Sequence, residues 1–162
     1  MGYIIKGLSN VNPSVGHPNY LSVTATLTAA GVWEQVAKHE VFTVTGVVRA
    51  RMWIECTTTL EDAGDAARIQ FGHSALTNAF IASTAAATAG ATLIAAGTLW
   101  CDTGPLAAEL TSTAIMDWVV VDNDIGFEVT GADFTAGVLV FHCVWEPLSP
   151  TGNLVAGPGT TL

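Results

Sequence analysis

The strongest constraint on the fold is an alternation of apolar and hydroxyl residues with a period of two. In residues 21–28 the odd positions are apolar and the even positions are Ser or Thr. Successive side chains of a β-strand point to opposite faces of the sheet, so this pattern predicts a half-buried strand. Thr is β-branched and common on strands, which supports the same prediction. The segment lacks the period of 3.6 that an amphipathic helix requires.

The longest alternating segment covers residues 41–56, and its even positions are nearly all apolar. It exceeds the usual length of a strand, so we expect a bulge or a bend at Gly46. A shorter strand is predicted at residues 67–71, where Ala, Ile and Phe alternate with Arg and Gln. These segments predict an all-β domain.

Two further strands are predicted at residues 115–121 and 125–129. The run Asp122-Asn123-Asp124 between them is a strong turn signal, and we expect the two strands to form a hairpin. Residues 138–145 are apolar at both odd and even positions, as in a central strand that is covered on both faces. The Ala-rich segment 75–90 has no charged residue and is open to two interpretations, a loop with one helical turn or a strand.

About eight short strands separated by turns indicate an antiparallel β-sandwich or a jelly-roll-like domain. We predict three parts: an extended N-terminal arm at residues 1–20, the sandwich at residues 21–147, and a Gly/Pro-rich C-terminal tail at residues 148–162. Both terminal segments have the composition of a linker, with several Gly and Pro residues.

The charge balance excludes two classes of partner. The chain has 5 Lys and Arg residues against 14 Asp and Glu residues, a formal net charge of −9. Nucleic-acid binding and docking on anionic membranes both need clustered basic residues, so neither partner is expected. Charged residues make up 12% of the chain and hydrophobic residues 50%, whereas a typical soluble domain has about 25% charged residues. This composition favours a protomer whose apolar surface is covered by identical copies over a monomer coated with Thr.

The residues that could carry chemistry do not form a catalytic or metal-binding pattern. The cysteines are widely spaced and contain no CxxC pair, and the histidines contain no HxH or HExxH motif; they are Cys56, Cys101 and Cys143, and His17, His39, His73 and His142. The buried, reduced state is expected for the thiols. The acidic loops resemble solvated turns more than calcium sites; they contain Glu61, Asp62 and Asp65, and Asp122 and Asp124. We therefore predict no catalytic residue, no metal and no cofactor.

One strand face carries Arg49, Arg51 and Trp53. Two interpretations are open for the arginines: pairing with acidic residues on a neighbouring strand of the same chain, or bidentate contact with a carboxylate of another subunit. Arginine and aromatic residues are frequent anchors of protein interfaces, and we predict that these three residues contact a partner.

Three segments carry a resemblance to known proteins: Val-Thr-Gly-Val-Val-Arg-Ala-Arg-Met-Trp at 44–53, Trp-Val-Val-Val-Asp-Asn-Asp-Ile-Gly-Phe-Glu-Val-Thr-Gly at 118–131, and the tail at 153–162. Together with the Thr/Ala/Gly-rich strands, they resemble structural proteins of tailed-bacteriophage virions, and most of all capsid decoration (cement) proteins.

The resemblance implies a small β-domain without enzymatic activity, commonly a homotrimer, that reinforces the capsid lattice. Its partners would be copies of itself and the major capsid protein. It would be made in the bacterial host cytoplasm and located on the capsid surface of the virion. The alternatives are a head–tail connector, a tail or fibre component, or a carbohydrate-binding β-sandwich module. A terminal arm could add a strand to a neighbouring sheet, and in the two terminal segments we predict contacts at Tyr3, Tyr20, Leu154 and Val155.

Overall fold

A computed structural model describes residues 19–27, 33, 36–62, 64, 66–88, 91–92, 94–101, 104–106, 117–159 and 162. All regular elements in these residues are β-strands. They form two antiparallel sheets packed as a sandwich, which confirms the predicted fold class. Within the same residues, no helix has the length and apolar character needed to cross a membrane.

The two sheets contain most of the strands. The six-stranded sheet has, in spatial order, β1 (Asn19–Thr26), β12 (Phe134–Pro147), β3 (Val47–Asp62), β8 (Thr98–Cys101) and β9 (Gly104–Leu106), and β10 (Asp117–Val121) also pairs with β3. The five-stranded sheet has β13 (Asn153–Ala156), β2 (Lys38–Thr45), β11 (Ile125–Thr130), β4 (Arg68–His73) and β5 (Leu76–Ala85). A small two-stranded sheet pairs β6 (Ala87–Thr88) with β7 (Ala91–Thr92).

The core lies between the two sheets, and aromatic rings link one sheet to the other. Phe141 of β12 stacks on Phe127 of β11, with ring centroids 5.3 Å apart and planes at 7°. Phe71 of β4 contacts the same ring from the five-stranded sheet at 5.4 Å. All three are buried, and aromatic pairs of this kind contribute about 0.5–1.5 kcal/mol beyond their buried area. β12 lies between β1 and β3, as expected of a central strand, but the prediction that both of its faces are covered is wrong: its odd residues from 139 to 145 are buried, whereas the even residues between them are only half-buried.

The long alternating segment becomes two strands in different sheets. Gly46 has a φ of +64°, a conformation that favours glycine, and the chain crosses there from β2 in the five-stranded sheet to β3 in the six-stranded sheet. The predicted bend at Gly46 is therefore confirmed, and it also transfers the chain from one sheet to the other, which the sequence did not predict. A register shift opposite residues 125 and 126 leaves both Val41 and Phe42 of β2 buried, as in a β-bulge.

The hairpin predicted around residues 122–124 is wrong. β10 belongs to the six-stranded sheet and β11 to the five-stranded sheet, so the turn between them is a second crossing. Two carboxylates of this turn stabilise the crossing at Gly46. Asp122 Oδ1 accepts a hydrogen bond from the Gly46 amide at 2.6 Å, and Asp124 Oδ1 accepts one from the Val44 amide at 2.9 Å. The predicted turn is present, but a turn signal cannot tell which sheet the next strand joins.

The C-terminal tail adds a third crossing at the same place. The amide of Leu148 donates to the carbonyl of Val47 at 2.8 Å, and Ser149 Oγ accepts from the Val47 amide at 2.9 Å. The chain then enters β13, which pairs with β2. We call residues 45–47, 121–125 and 147–153 the crossing corner.

The described sandwich extends beyond the limits predicted from the sequence. It starts at Asn19 and includes β13, which lies inside the predicted tail. The tail is thus docked on its own domain through ladder hydrogen bonds. Residues 1–18 of the predicted N-terminal arm lie outside the described residues. In segment 75–90 the strand interpretation holds for β5.

Candidate interaction surface

The outward face of the six-stranded sheet brings together most of the predicted contact residues. Arg49, Arg51 and Trp53 are alternate residues of β3 and share this face. Tyr20 reaches it from β1, because Tyr20 is opposite Val144 and Val144 is opposite Arg51. We call this surface the outer face. Its formation needs the pairing order β1–β12–β3–β10, which no local sequence signal specifies.

The other predicted contact residues lie elsewhere. Leu154 is 2% exposed and belongs to the core, so the prediction that it contacts a partner is wrong; as an inward residue of β13 it packs inside its own domain. Val155 is 42% exposed, on the edge strand of the opposite sheet. Tyr3 lies outside the described residues.

Both arginines of the outer face pair with carboxylates of neighbouring strands in the same chain. Arg49 forms a salt bridge with Glu146 of β12. Arg51 binds Asp117 of β10 through two hydrogen bonds, at 2.9 and 3.2 Å. The first of the two interpretations therefore describes the arginines in this structure. The hydrogen bonds from Arg51 hold the pKa of the Asp117 carboxyl below its ordinary value.

The centre of the outer face is a cluster of three rings from adjacent strands. His142 of β12 stacks on Trp53 of β3, with centroids 5.0 Å apart and planes at 11°. Tyr20 of β1 stacks on the other side at 6.1 Å and 26°. Because β1 and β3 flank β12, the imidazole lies between the two larger rings.

Both nitrogens of His142 have polar partners. Nδ1 lies 2.7 Å from the hydroxyl oxygen of Tyr20, and Nε2 lies 3.3 Å from Glu55 Oε2. Both contacts are satisfied if the Tyr20 hydroxyl donates to Nδ1 and Nε2–H donates to Glu55, a tautomer assigned here from the partners. The arrangement fixes the rings against each other. Glu55 was not among the predicted contact residues, although the alternation along residues 41–56 puts it on the same face as Trp53.

The outer face also carries exposed apolar side chains. Val119 is 61% exposed and Val121 is 49% exposed, both on β10, and Tyr20 is 57% exposed on β1. Val119 lies opposite Arg49, and Val121 lies opposite Val47. The outer face therefore combines paired charges with exposed apolar and aromatic side chains, and it contains Tyr, Trp and Arg, which are enriched at protein interfaces.

Three other candidates for chemistry, Asp62, Cys56 and Cys143, have structural surroundings. Asp62 Oδ2 accepts hydrogen bonds from the amides of Ala66 and Ala67, at 2.7 and 2.9 Å, and so caps its loop. The thiols of Cys56 and Cys143 are buried, and burial raises their pKa to about 11 and about 12. Over the described part of the chain, no three His, Cys, Asp or Glu residues are grouped to hold a metal ion.

Comparison with protein-family models, with curated proteins and with solved structures finds no match for this chain.

Proposed function

We propose that this protein is a non-enzymatic structural component of a tailed-phage virion, a decoration protein that binds the capsid surface as an oligomer and reinforces the shell. The observation that carries the proposal is the outer face, where exposed Tyr20, Val119 and Val121 share one surface with charges that are already paired. The resemblance supplies the class of partner, the major capsid protein, and the expected trimer.

The charge pattern of the outer face supports binding to another protein. Arg49 and Arg51 are neutralised by Glu146 and Asp117 within the chain, so covering the arginines does not bury an isolated positive charge. Burying a valine side chain contributes about 1.5–3 kcal/mol. Burial of the exposed valines of β10 would therefore contribute to docking, together with burial of Tyr20.

Reinforcement follows from mass action. A protein that binds the assembled shell but not its dissociated subunits stabilises the shell by its binding free energy. An oligomer that contacts several capsid subunits at once adds these contacts as avidity, so each contact can be weak.

The carbohydrate-binding alternative is less well supported by the rings. Tyr20, His142 and Trp53 form a row, but they stack against each other. A sugar platform needs ring faces that are open to the ligand. The connector, tail and fibre alternatives would use the same outer face on a different virion partner.

The test is co-sedimentation of the purified protein with heads assembled from the major capsid protein encoded in the same genome. We expect saturable binding and heads that resist a higher temperature. Val119→Asp should weaken binding at least tenfold, because the carboxylate would have to lose its hydration in the contact. Val155→Asp is the matched control, since Val155 is also exposed but lies on the opposite sheet, and should bind as the wild type does. Equal binding by both variants, or no binding by the wild type, would contradict the proposal.

A further inference from the structure

Among the described residues, the edge strand β1 has a strand on one side only, along its whole length. It pairs with β12 over eight consecutive positions, from Asn19 opposite Trp145 to Thr26 opposite Val138, with no register shift. Within the described residues, no other strand pairs with β1. An edge of this kind presents a row of backbone NH and CO groups that another strand can bind.

β1 also lacks the features that usually protect an edge from pairing, namely short length, charged side chains, proline and bulges. Its sequence, NYLSVTAT, has no charged residue and no proline. Other described edges have at least one such feature. β13 has four residues, β10 contains Asp117, and the pairing of β5 with β4 is interrupted by two register shifts.

A hydrogen bond at the end of β1 fixes which residues have free backbone groups. The amide of Leu27 donates to the carbonyl of Gly137 at 2.9 Å, which makes this opposite pair a hydrogen-bonded one. Such pairs alternate along an antiparallel ladder. The odd residues of β1 therefore bond to β12, and the even residues direct their NH and CO groups to the free side; these are Tyr20, Ser22, Thr24 and Thr26.

We infer that the occupant of this edge is β1 of a second copy of the chain, paired antiparallel about a two-fold axis. One register engages all four even residues: Tyr20 opposite Thr26 of the second copy, and Ser22 opposite Thr24. The two-fold axis then passes between the two copies of Val23. The contact joins two six-stranded sheets into one continuous sheet and extends the outer face across both copies.

The side chains of β1 are complementary to themselves in this register. On the inward face Leu21 lies opposite Ala25 of the second copy, a large residue against a small one, and Val23 lies opposite Val23. Leu21 and Val23 are only partly buried although they pack on the core, so a second strand would complete their burial. On the outward face hydroxyl residues meet each other. Because β1 carries no charge, two copies with a net charge of −9 each can pair there without opposed carboxylates.

A two-fold contact closes on two copies. In a protein that also forms trimers it would join neighbouring trimers. Pairing of two copies through β1 does not require capsid binding, and it can be measured without heads.

Charge substitutions on β1 test the contact and its register. Ser22→Lys/Thr24→Lys puts like charges opposite each other at two positions and should weaken self-association about tenfold, measured by light scattering and sedimentation velocity. Ser22→Lys/Thr24→Glu has the same positions changed but places opposite charges together, and should associate as the wild type does. Asn78→Lys/Ala82→Lys, on exposed positions of β5, is the control for added charge. Equal association of the first two variants would overturn the proposed register.

Cross-linking gives a second readout that does not depend on the charge variants folding. The two Cα atoms at position 23 would lie about 4.5 Å apart, as in a non-hydrogen-bonded pair, which is within the range for a disulfide. Val23→Cys should therefore form a covalent dimer under mild oxidation. Thr26→Cys should not, because the two copies of residue 26 would be about 20 Å apart in this register. Failure of Val23→Cys to cross-link, or equal cross-linking of both variants, would reject the inference, whether or not the protein binds heads.

Discussion

The packing of the crossing corner predicts how much a substitution of Gly46 would lower the free energy of unfolding. Replacing Gly46 with alanine changes two things at once. The residue has a φ of +64°, where an alanine costs about 1–2 kcal/mol relative to its preferred conformations. The added Cβ would also lie 2.6 Å from Thr151 Oγ1, 2.7 Å from Ser149 Oγ and 2.9 Å from the Gly152 amide nitrogen.

The steric contact of the added Cβ adds to the cost of the positive φ, because one of the three atoms that the Cβ would contact belongs to the backbone. The Thr151 and Ser149 hydroxyls can rotate away, although Ser149 would then lose its hydrogen bond to the Val47 amide. The Gly152 nitrogen can move only with the crossing segment of the tail. Overpacking of this kind costs about 1–3 kcal/mol. Gly46→Ala should therefore lower the free energy of unfolding by about 2–5 kcal/mol.

Urea denaturation measures the loss directly, and thermal unfolding should show it as a Tm lower by about 2–4 °C for each kcal/mol in a chain of this size. Gly97→Ala is the matched control. Gly97 has a φ of +84° but no atom within 4 Å of the added Cβ, so its loss should be limited to about 1–2 kcal/mol. Equal losses for the two variants would refute the view that three packed chain crossings constrain Gly46.

Three further predictions concern single residues. The Asp117 carboxyl should titrate below its ordinary pKa of 3.8 in a carbon-detected NMR titration. Arg51→Gln should return the pKa of Asp117 toward that value. Because the pKa of Asp117 is depressed in the folded protein, the stability that the Arg51–Asp117 pair contributes is present at neutral pH and is lost as the pH falls through the folded pKa. An unchanged midpoint in the variant would contradict the assignment. At pH 8 Cys56 and Cys143 should resist a thiol reagent in the native protein and react on unfolding, as judged by peptide mapping, because burial raises their pKa to about 11 and about 12; rapid native labelling would count against this. Phe141→Ala should lower the free energy of unfolding by about 3–5 kcal/mol in urea, whereas Val155→Ala should change it by less than about 0.5 kcal/mol; similar effects would mean that the Phe141 ring does not join the sheets.

Part of the outer face could be predicted from the sequence. The alternation along β3 placed Arg49, Arg51 and Trp53 on one side, because side-chain direction in a strand depends only on position parity. The contribution of His142 and Tyr20 could not be predicted, since it depends on β12 and β1 lying beside β3 in a particular register. The partners of the arginines were open for the same reason: Glu146 and Asp117 are distant in sequence and become neighbours only through strand pairing.

Local pattern alone determined that this chain is built from strands, where Gly46 and residues 122–124 interrupt them, and which side of each strand is apolar. Those properties follow from backbone geometry and from the sorting of side chains between water and the core, both of which act over a few residues. Only the tertiary structure decided that the interruptions are crossings between two sheets, that the tail pairs with β2, and that β1 has a partner on one side only among the described strands. Pairing order is set by contacts between residues far apart in the chain, and the sequence of a strand alone does not specify which strand pairs with it.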